Sequence, residues 1–210
     1  MSDTIILMEK FNNEEIDKNL RWFSEPNDWK IDSKESQLTI KPDKQTDFWQ
    51  QTHYSFQVDN GHFLYNPVKG DFRITTKVKS KPMHRYDQAG LMVRFSSDSW
   101  IKTSLEFIPD GKSKLGAVVT NAGYSDWSSQ EIDEVPDSLY FRISRKETTY
   151  YVDFSLEGTN WSQIRMSHLF TKTDSMNIGI YACSPQESGY EVNFDFIKIE
   201  RINKDTEVYG

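Results

Sequence analysis

Short segments of strictly alternating apolar and polar residues recur along this chain, and no other feature restricts its fold so severely. Within Asp71–Lys79, Phe72, Ile74, Thr76 and Val78 share one face, while Arg73, Thr75, Lys77 and Lys79 share the other. Successive side chains of a strand point to opposite faces, so this pattern predicts a half-buried antiparallel strand. Ala89–Phe95 and Trp100–Ile108 repeat it, the second placing Ile101, Thr103, Leu105 and Phe107 opposite Trp100, Lys102, Ser104 and Glu106. Leu139–Ile143, Tyr150–Leu156, Trp161–Ser167, Met176–Cys183 and Tyr190–Ile199 alternate as well, and Leu115–Val119 is an apolar run suited to a central strand.

The connections carry turn chemistry: Ser96-Ser97-Asp98-Ser99, Pro109-Asp110-Gly111 and Glu157-Gly158-Thr159-Asn160. Asn60-Gly61 is the dipeptide of a type I′ turn and reads as structural. Strands at such spacing imply a sandwich or barrel. One segment departs from the pattern: Ile16, Leu20 and Phe23 recur at helical spacing before Pro26, consistent with a short helix or with a strand beginning near Leu20. No linker or repeat divides the chain. We read one all-β domain over residues 1–202 and a tail over 203–210.

Composition narrows the function classes. Of 210 residues, 25 are Lys or Arg and 32 Asp or Glu, a formal charge of −7; such a balance repels phosphate and argues against nucleic acid as a partner. No run approaches the roughly 18 apolar residues of a membrane span. Aromatic residues make up 14% of a chain only 36% hydrophobic, which disfavours disorder. The single cysteine, Cys183, excludes an internal disulfide framework, and its apolar strand implies a buried structural thiol. The start lacks the basic and apolar regions of a secretory leader, so the expected setting is cytoplasmic.

Rings and hydrogen-bonding groups coincide on one expected surface. The face of Trp100–Ile108 turned away from the core holds Trp100, Lys102 and Glu106; its hairpin partner adds Arg94 and Gln88. Aromatic faces stack on sugar C–H faces, and amides and carboxylates bind hydroxyls. The plainer reading is a solvated sheet face with cross-strand ion pairs. The segment Thr120–Ser129 follows an apolar strand and reads as a loop bearing Asn121, Tyr124, Asp126 and Trp127; its plainer reading is a loop anchored by Trp127. Asp47–Tyr54 is a second ring-rich polar stretch and includes Trp49.

Glycoside hydrolysis needs two carboxylates, and enzymes on sandwiches of this kind often place them at even spacing on one strand. Here Glu106 stands alone on its face, with Ser104 and Ile108 beside it. His53, His62, His84 and His168 fall into no ligand spacing, so no metal is expected, and the absence of a Gly-rich phosphate loop leaves no expected cofactor.

Several blocks occur in a recognisable order: Asp47-Phe48-Trp49-Gln50, Asp59-Asn60-Gly61-His62-Phe63, Tyr86-Asp87-Gln88-Ala89-Gly90-Leu91-Met92-Val93-Arg94, Trp100-Ile101-Lys102 with Glu106, Val119-Thr120-Asn121 with Tyr124-Ser125-Asp126-Trp127, and Gly179-Ile180-Tyr181-Ala182-Cys183-Ser184-Pro185. From about Trp22 to Glu200 the chain resembles the domain of unknown function 1349 family, in the concanavalin A-like lectin/glucanase superfamily. The resemblance implies a jelly-roll sandwich of two antiparallel sheets. It implies no established activity, although members often carry a regulatory label. The Gln-Ala-Gly-Leu pattern followed by a Trp-bearing strand also resembles accessory domains of some β-xylosidases, which favours a carbohydrate. The ligand-binding set is then Trp49, His62, Gln88, Arg94, Trp100, Asn121, Tyr124, Asp126 and Trp127. Three readings stay open: a module binding a carbohydrate or another polar small molecule, an enzyme acting on a sugar with Glu106 and Lys102 as its catalytic pair, and an intracellular module with a protein partner.

Overall fold

The alternating segments fold into strands of two stacked sheets, in a computed structural model that describes residues 3–171 and 173–209. In chain order the strands are β1 (Thr4–Glu9), β2 (Arg21–Phe23), β3 (Asp28–Asp32), β4 (Gln37–Lys41), β5 (Phe48–Gln50) and β6 (Gln57–Asp59). Then come β7 (His62–Lys69), β8 (Phe72–Lys81), β9 (Gln88–Ser96), β10 (Ser99–Glu106), β11 (Ser113–Asn121) and β12 (Tyr124–Ile132). The last five are β13 (Leu139–Lys146), β14 (Thr149–Ser155), β15 (Ser162–His168), β16 (Ser175–Cys183) and β17 (Glu191–Arg201).

One sheet runs β15-β14-β13-β8-β17-β4-β3, with β1 also on β17; the other runs β12-β11-β10-β9-β16-β7-β2. Every pairing between strands is antiparallel, giving the all-β, concanavalin A-like jelly-roll sandwich. Strand β17 serves two partners on one side: Val192–Phe194 pair with β4 and, beyond a register shift between Phe194 and Ile197, Ile197–Arg201 pair with β1.

The inward parities meet between the sheets. Phe72, Ile74, Phe141, Ile143, Val192 and Phe194 of the first sheet pack with Leu91, Val93, Ile101, Leu115, Ile178 and Ile180 of the second, all fully buried or nearly so. Truncating a buried Phe such as Phe141 to Ala costs about 3–5 kcal/mol, so these faces fix the register that positions everything else.

One open alternative, a strand beginning near Leu20, holds, and two local expectations meet a different outcome. Residues 14–23 form no helix; a short turn at Asp17–Leu20 leads into strand β2. The segment Thr120–Ser129 is a hairpin rather than a loop, because Ala122 and Gly123 take the positive φ values (50° and 76°) of a two-residue turn. Its second strand, β12, is a sheet edge with polar residues on both faces, which erased the alternation signal. Asn60-Gly61 does not close a hairpin, since β6 pairs with β5 and not with β7. The Asn60 side chain instead accepts from Asp47 N and donates to Gln45 O, while both residues' amides donate to Asp47 O. A Cβ at Gly61 would collide with the Phe48 ring and lie 2.5 Å from Cys183 Sγ.

Residues 203–209 lie along the first sheet: Arg73 donates to Glu207 O, Lys146 Nζ donates to the carbonyls of Lys204 and Thr206, and Val208 is buried.

Candidate functional site

The outward face of the second sheet is not an ordinary wet surface. Cross-strand register lines up Gly179, Met92, Lys102, Val118 and Trp127 in one row and Cys183, Gln88, Glu106, Lys114 and Glu131 in another. The small β5–β6 hairpin folds over part of this face. Its Phe48 joins Phe63, Met92, Trp100, Val118, Tyr181 and Cys183 in a second apolar cluster, with Trp49 packed at its margin. Arg94 fastens the hairpin with a bidentate pair to Asp59 (2.9 and 2.8 Å) and stacks on Phe23 at 4.6 Å. Such forked pairs are short and directional.

Beyond the covered cluster the floor becomes charged. Lys102 is 2% exposed, and its ammonium donates to Asp47 Oδ1 and to Gln88 Oε1, both at 2.9 Å. Gln88 Oε1 also accepts from the Tyr181 hydroxyl at 3.0 Å, and its amide nitrogen donates to Tyr86 O at 3.1 Å. Burial pulls the lysine's pKa down, but the carboxylates of Asp47 and Glu106 outweigh it and hold the pKa above the usual value. Lys102 is therefore a fixed cation.

Glu106, 8% exposed, is the contrast. Among the described residues no group hydrogen-bonds its carboxylate. Burial pushes its pKa up to about 7, with Lys102 opposing and Asp47 reinforcing the rise. Two acids thus share one cation: one is tied to it, and the other is poised near neutrality. Beneath them, burial raises the pKa of Tyr181 and Cys183 well above the usual values, so both stay protonated.

Lys102, Glu106 and Asp47 line a cleft of about 1430 Å³, and Trp49, Tyr54, Tyr86, Tyr124 and Trp127 contribute rings to its lining. The β5–β6 turn reaches its rim. Gln51, His53, Tyr54 and Ser55 all take positive φ there, and Tyr54, 87% exposed, lies against His53 with centroids 3.8 Å apart. No group of three or more His, Cys, Asp or Glu among the described residues is placed to hold a metal ion.

The family described as Protein of unknown function (DUF1349) matches residues 22–202. The chain belongs to the DUF1349 family. A Saccharomyces cerevisiae relative, Regulation of enolase protein 1, is 31% identical over 173 residues, covering 82% of this chain and 85% of that protein. A crystal structure of a functionally unknown protein from Saccharomyces cerevisiae superposes with a TM-score of 0.79 at 29% identity, covering 91% of this chain and 98% of that one. The GH43 protein BlXynB from Bacillus licheniformis gives a TM-score of 0.73 at 14% identity; the match takes in 93% of this chain but 39% of that one. At that identity the likeness is one of fold alone.

Within this DUF1349 chain the register separates residues that the sequence grouped on one surface. Lys102, Glu106, Gln88 and Trp127 share the cleft side, and Trp49 and Tyr124 line the cleft too. Trp100 has the right parity but is fully buried under Phe48, with its Nε1 donating to Ser97 O at 3.1 Å, so no ligand can stack on it. Arg94 is occupied by Asp59. His62 is 1% exposed: Nδ1 lies 2.6 Å from Ser24 O and Nε2 accepts from Asp43 N. Burial lowers its pKa, so it is a neutral clip between loops and its nearby Asp43 carboxylate is no true ion pair.

Asn121 and Asp126 have the opposite parity to Lys102 and turn toward the first sheet. Asn121 bonds His168 O and Phe170 N, and Asp126 pairs with Arg165 of β15 at 3.0 Å. They line the far end of the cleft beyond the edge strand, away from the Lys102–Glu106 floor. Sequence reasoning passed over Asp47, Tyr86 and Tyr181. The signal was present in the Asp47-Phe48-Trp49-Gln50 and Tyr86-Asp87-Gln88 blocks, but Asp47 lies outside any alternating strand and nothing local places it over Lys102.

Proposed function

We propose that this chain is a ligand-binding module whose cleft over Lys102 and Glu106 takes a carbohydrate or a related polyhydroxyl ligand. The observation that carries this reading is an unpartnered, nearly buried carboxylate on the floor of a ring-lined cleft. A carboxylate that lines the cleft and has no hydrogen-bond partner in the protein keeps its acceptor capacity for whatever occupies the cleft. Lys102 has three N–H donors and two are used within the protein, so a donor and an acceptor stand side by side for adjacent hydroxyls. Trp127 supplies a flat apolar face on the Lys102 side, whereas Tyr124, with the parity of Asn121 and Asp126, lines the far end of the cleft. The fold likeness to GH43 proteins and to a xylan β-1,4-xylosidase from Bacillus halodurans adds to this reading. The expected setting is cytoplasmic, where Cys183 stays reduced.

Calorimetric titration with xylose- and glucose-based oligosaccharides tests the proposal. Binding in the millimolar range or tighter, weakened at least about tenfold by Trp127→Ala, is the expected result. Absence of binding by a folded protein across such a panel refutes it.

A second reading is enzymatic, and the poised pKa of Glu106 favours it: a carboxyl near 7 exchanges protons readily at neutral pH. Glu106 would act as acid or base, with Lys102 and Asp47 stabilising charge. Turnover of any bound glycoside that falls by about 100-fold or more in Glu106→Gln supports this reading, and unchanged turnover ends it. The exposed Tyr54, Phe56 and Phe170 at the rim are the feature that would serve a protein partner, as the name of the yeast relative suggests.

A further inference from the structure

Pairing the charged groups around the cleft leaves one carboxylate over. Asp47 is taken by Lys102 at 2.9 Å, and Asp126 by Arg165 at 3.0 Å. Lys114, the cross-strand neighbour of Glu106 on β11, turns instead to Glu131 at 2.8 Å. The groups facing Glu106 from the remaining elements bring no further cation: Gln88 on β9 is an amide, and Tyr181 and Cys183 on β16 stay protonated. His53 and His168 line the outer cleft. Among the described residues no cation forms an ion pair with Glu106.

An anionic ligand finds little here. The Lys102 ammonium already serves Asp47 and Gln88, and Arg165 is held by the Asp126 carboxylate, Asp126 O and Ser128 Oγ. A cation finds a carboxylate below and the faces of Trp49, Tyr86 and Trp127 in the cleft lining, and aromatic faces attract ammonium groups. Resting on the reading of the cleft as a sugar site, we infer that its ligand carries an ammonium group, as an amino sugar does, and seats it against Glu106.

The inference separates cleanly from its parent. With Glu106 empty-handed, its carboxyl holds a proton below about pH 7; an ammonium ligand stabilises the carboxylate and drives that proton off, whereas a neutral sugar does not. Two probes test it by calorimetry: the β-1,4-linked glucosamine tetramer and the glucose tetramer that has hydroxyls in place of the amines. At pH 7 the amine tetramer should bind at least about tenfold more tightly. At pH 6, in buffers of different ionisation enthalpy, its binding should release close to one proton, and the glucose tetramer should release none. Glu106→Gln should abolish the release and most of the preference. Equal binding of both tetramers, or proton release that persists in Glu106→Gln and so does not come from Glu106, overturns the ammonium inference and leaves the sugar site standing. Failure of both tetramers to bind folded wild-type protein overturns the ammonium inference and counts against the sugar site as well. The wild-type proton count does not depend on how well the variant folds.

Discussion

Replacing Lys102 by Met strips the Asp47 carboxylate of its ion-pair partner while filling nearly the same volume. Removing one member of a buried pair costs about 3–5 kcal/mol, because the remaining charge keeps its burial and loses its counter-ion. The Asp47 side chain retains 18% exposure, so water relieves part of that penalty and the lower end, about 3 kcal/mol, applies. Gln88 Oε1 loses one donor but keeps the Tyr181 hydroxyl, so no orphaned acceptor adds to the cost. For a chain of this length each kcal/mol moves the melting temperature by roughly 2–4 °C, so Lys102→Met should melt about 6–12 °C below wild type in thermal unfolding followed by circular dichroism. The double variant Lys102→Met/Asp47→Asn removes the stranded charge as well. It should recover to within about 1 kcal/mol of wild type, which a double-mutant cycle in urea resolves as strong coupling between the two sites. A single-variant loss under about 1 kcal/mol, or a double variant no better than the sum of the singles, would show that the pair is not buried as described and refute the reasoning.

Two further predictions rest on the same floor. The Glu106 pKa is raised from 4.5 to about 7 in the folded chain, so the folded state binds more protons than the unfolded state between those values and stability falls as pH rises through that window. Unfolding free energies of wild type and Glu106→Gln from urea titrations should therefore diverge by about 3 kcal/mol between pH 4.5 and pH 7.5, the variant gaining relative to wild type; parallel curves contradict the assignment. Cys183 is fully buried, and burial raises its thiol pKa, so thiol reagents should label it at the rate of unfolding, with fast labelling of native protein counting against this packing.

Much of the fold was written locally. Alternation in β8 and β13 gave both the strands and their buried faces, because a strand half in water must alternate, whereas in β9 and β10 it gave the strands although both faces are buried. Where a strand is wet on both faces, as in β12, alternation carries no information, and Ser, Asp, Trp and Gln look like a loop. Half of the site was legible on the same grounds: the parity of β10 places Lys102 and Glu106 together on the side away from the core. The other half was not, because the outer face acquires a second layer. Trp100 read as a stacking platform since its parity pointed outward, and only the arrival of the β5–β6 hairpin, fixed by Arg94 and Asp59 from residues 35 apart, turns outward into buried. Asp47 reaches Lys102 across 55 positions, a separation at which spacing says nothing.

That second layer also accounts for the chemistry. Lysine and glutamate on the exposed face of an antiparallel sheet are ordinary, and in water their pairing is worth at most about 1 kcal/mol. With Phe48 capping the neighbouring apolar cluster and Asp47 adding a carboxylate, the same two side chains enter a medium where charge is scarce and expensive. Lys102 then holds its proton more firmly, and Glu106, second in line for the same cation, holds one that lysine's usual partner would have given up. The two acids differ in burial and in geometry: Glu106 is the more buried, Asp47 descends onto the ammonium from the hairpin at 2.9 Å, and Glu106, on the same strand as Lys102 and four residues along, forms no ion pair with it. The sheet face becomes a candidate site because a two-stranded hairpin lies over part of it, and the uncovered remainder is where the leftover carboxylate meets the cleft.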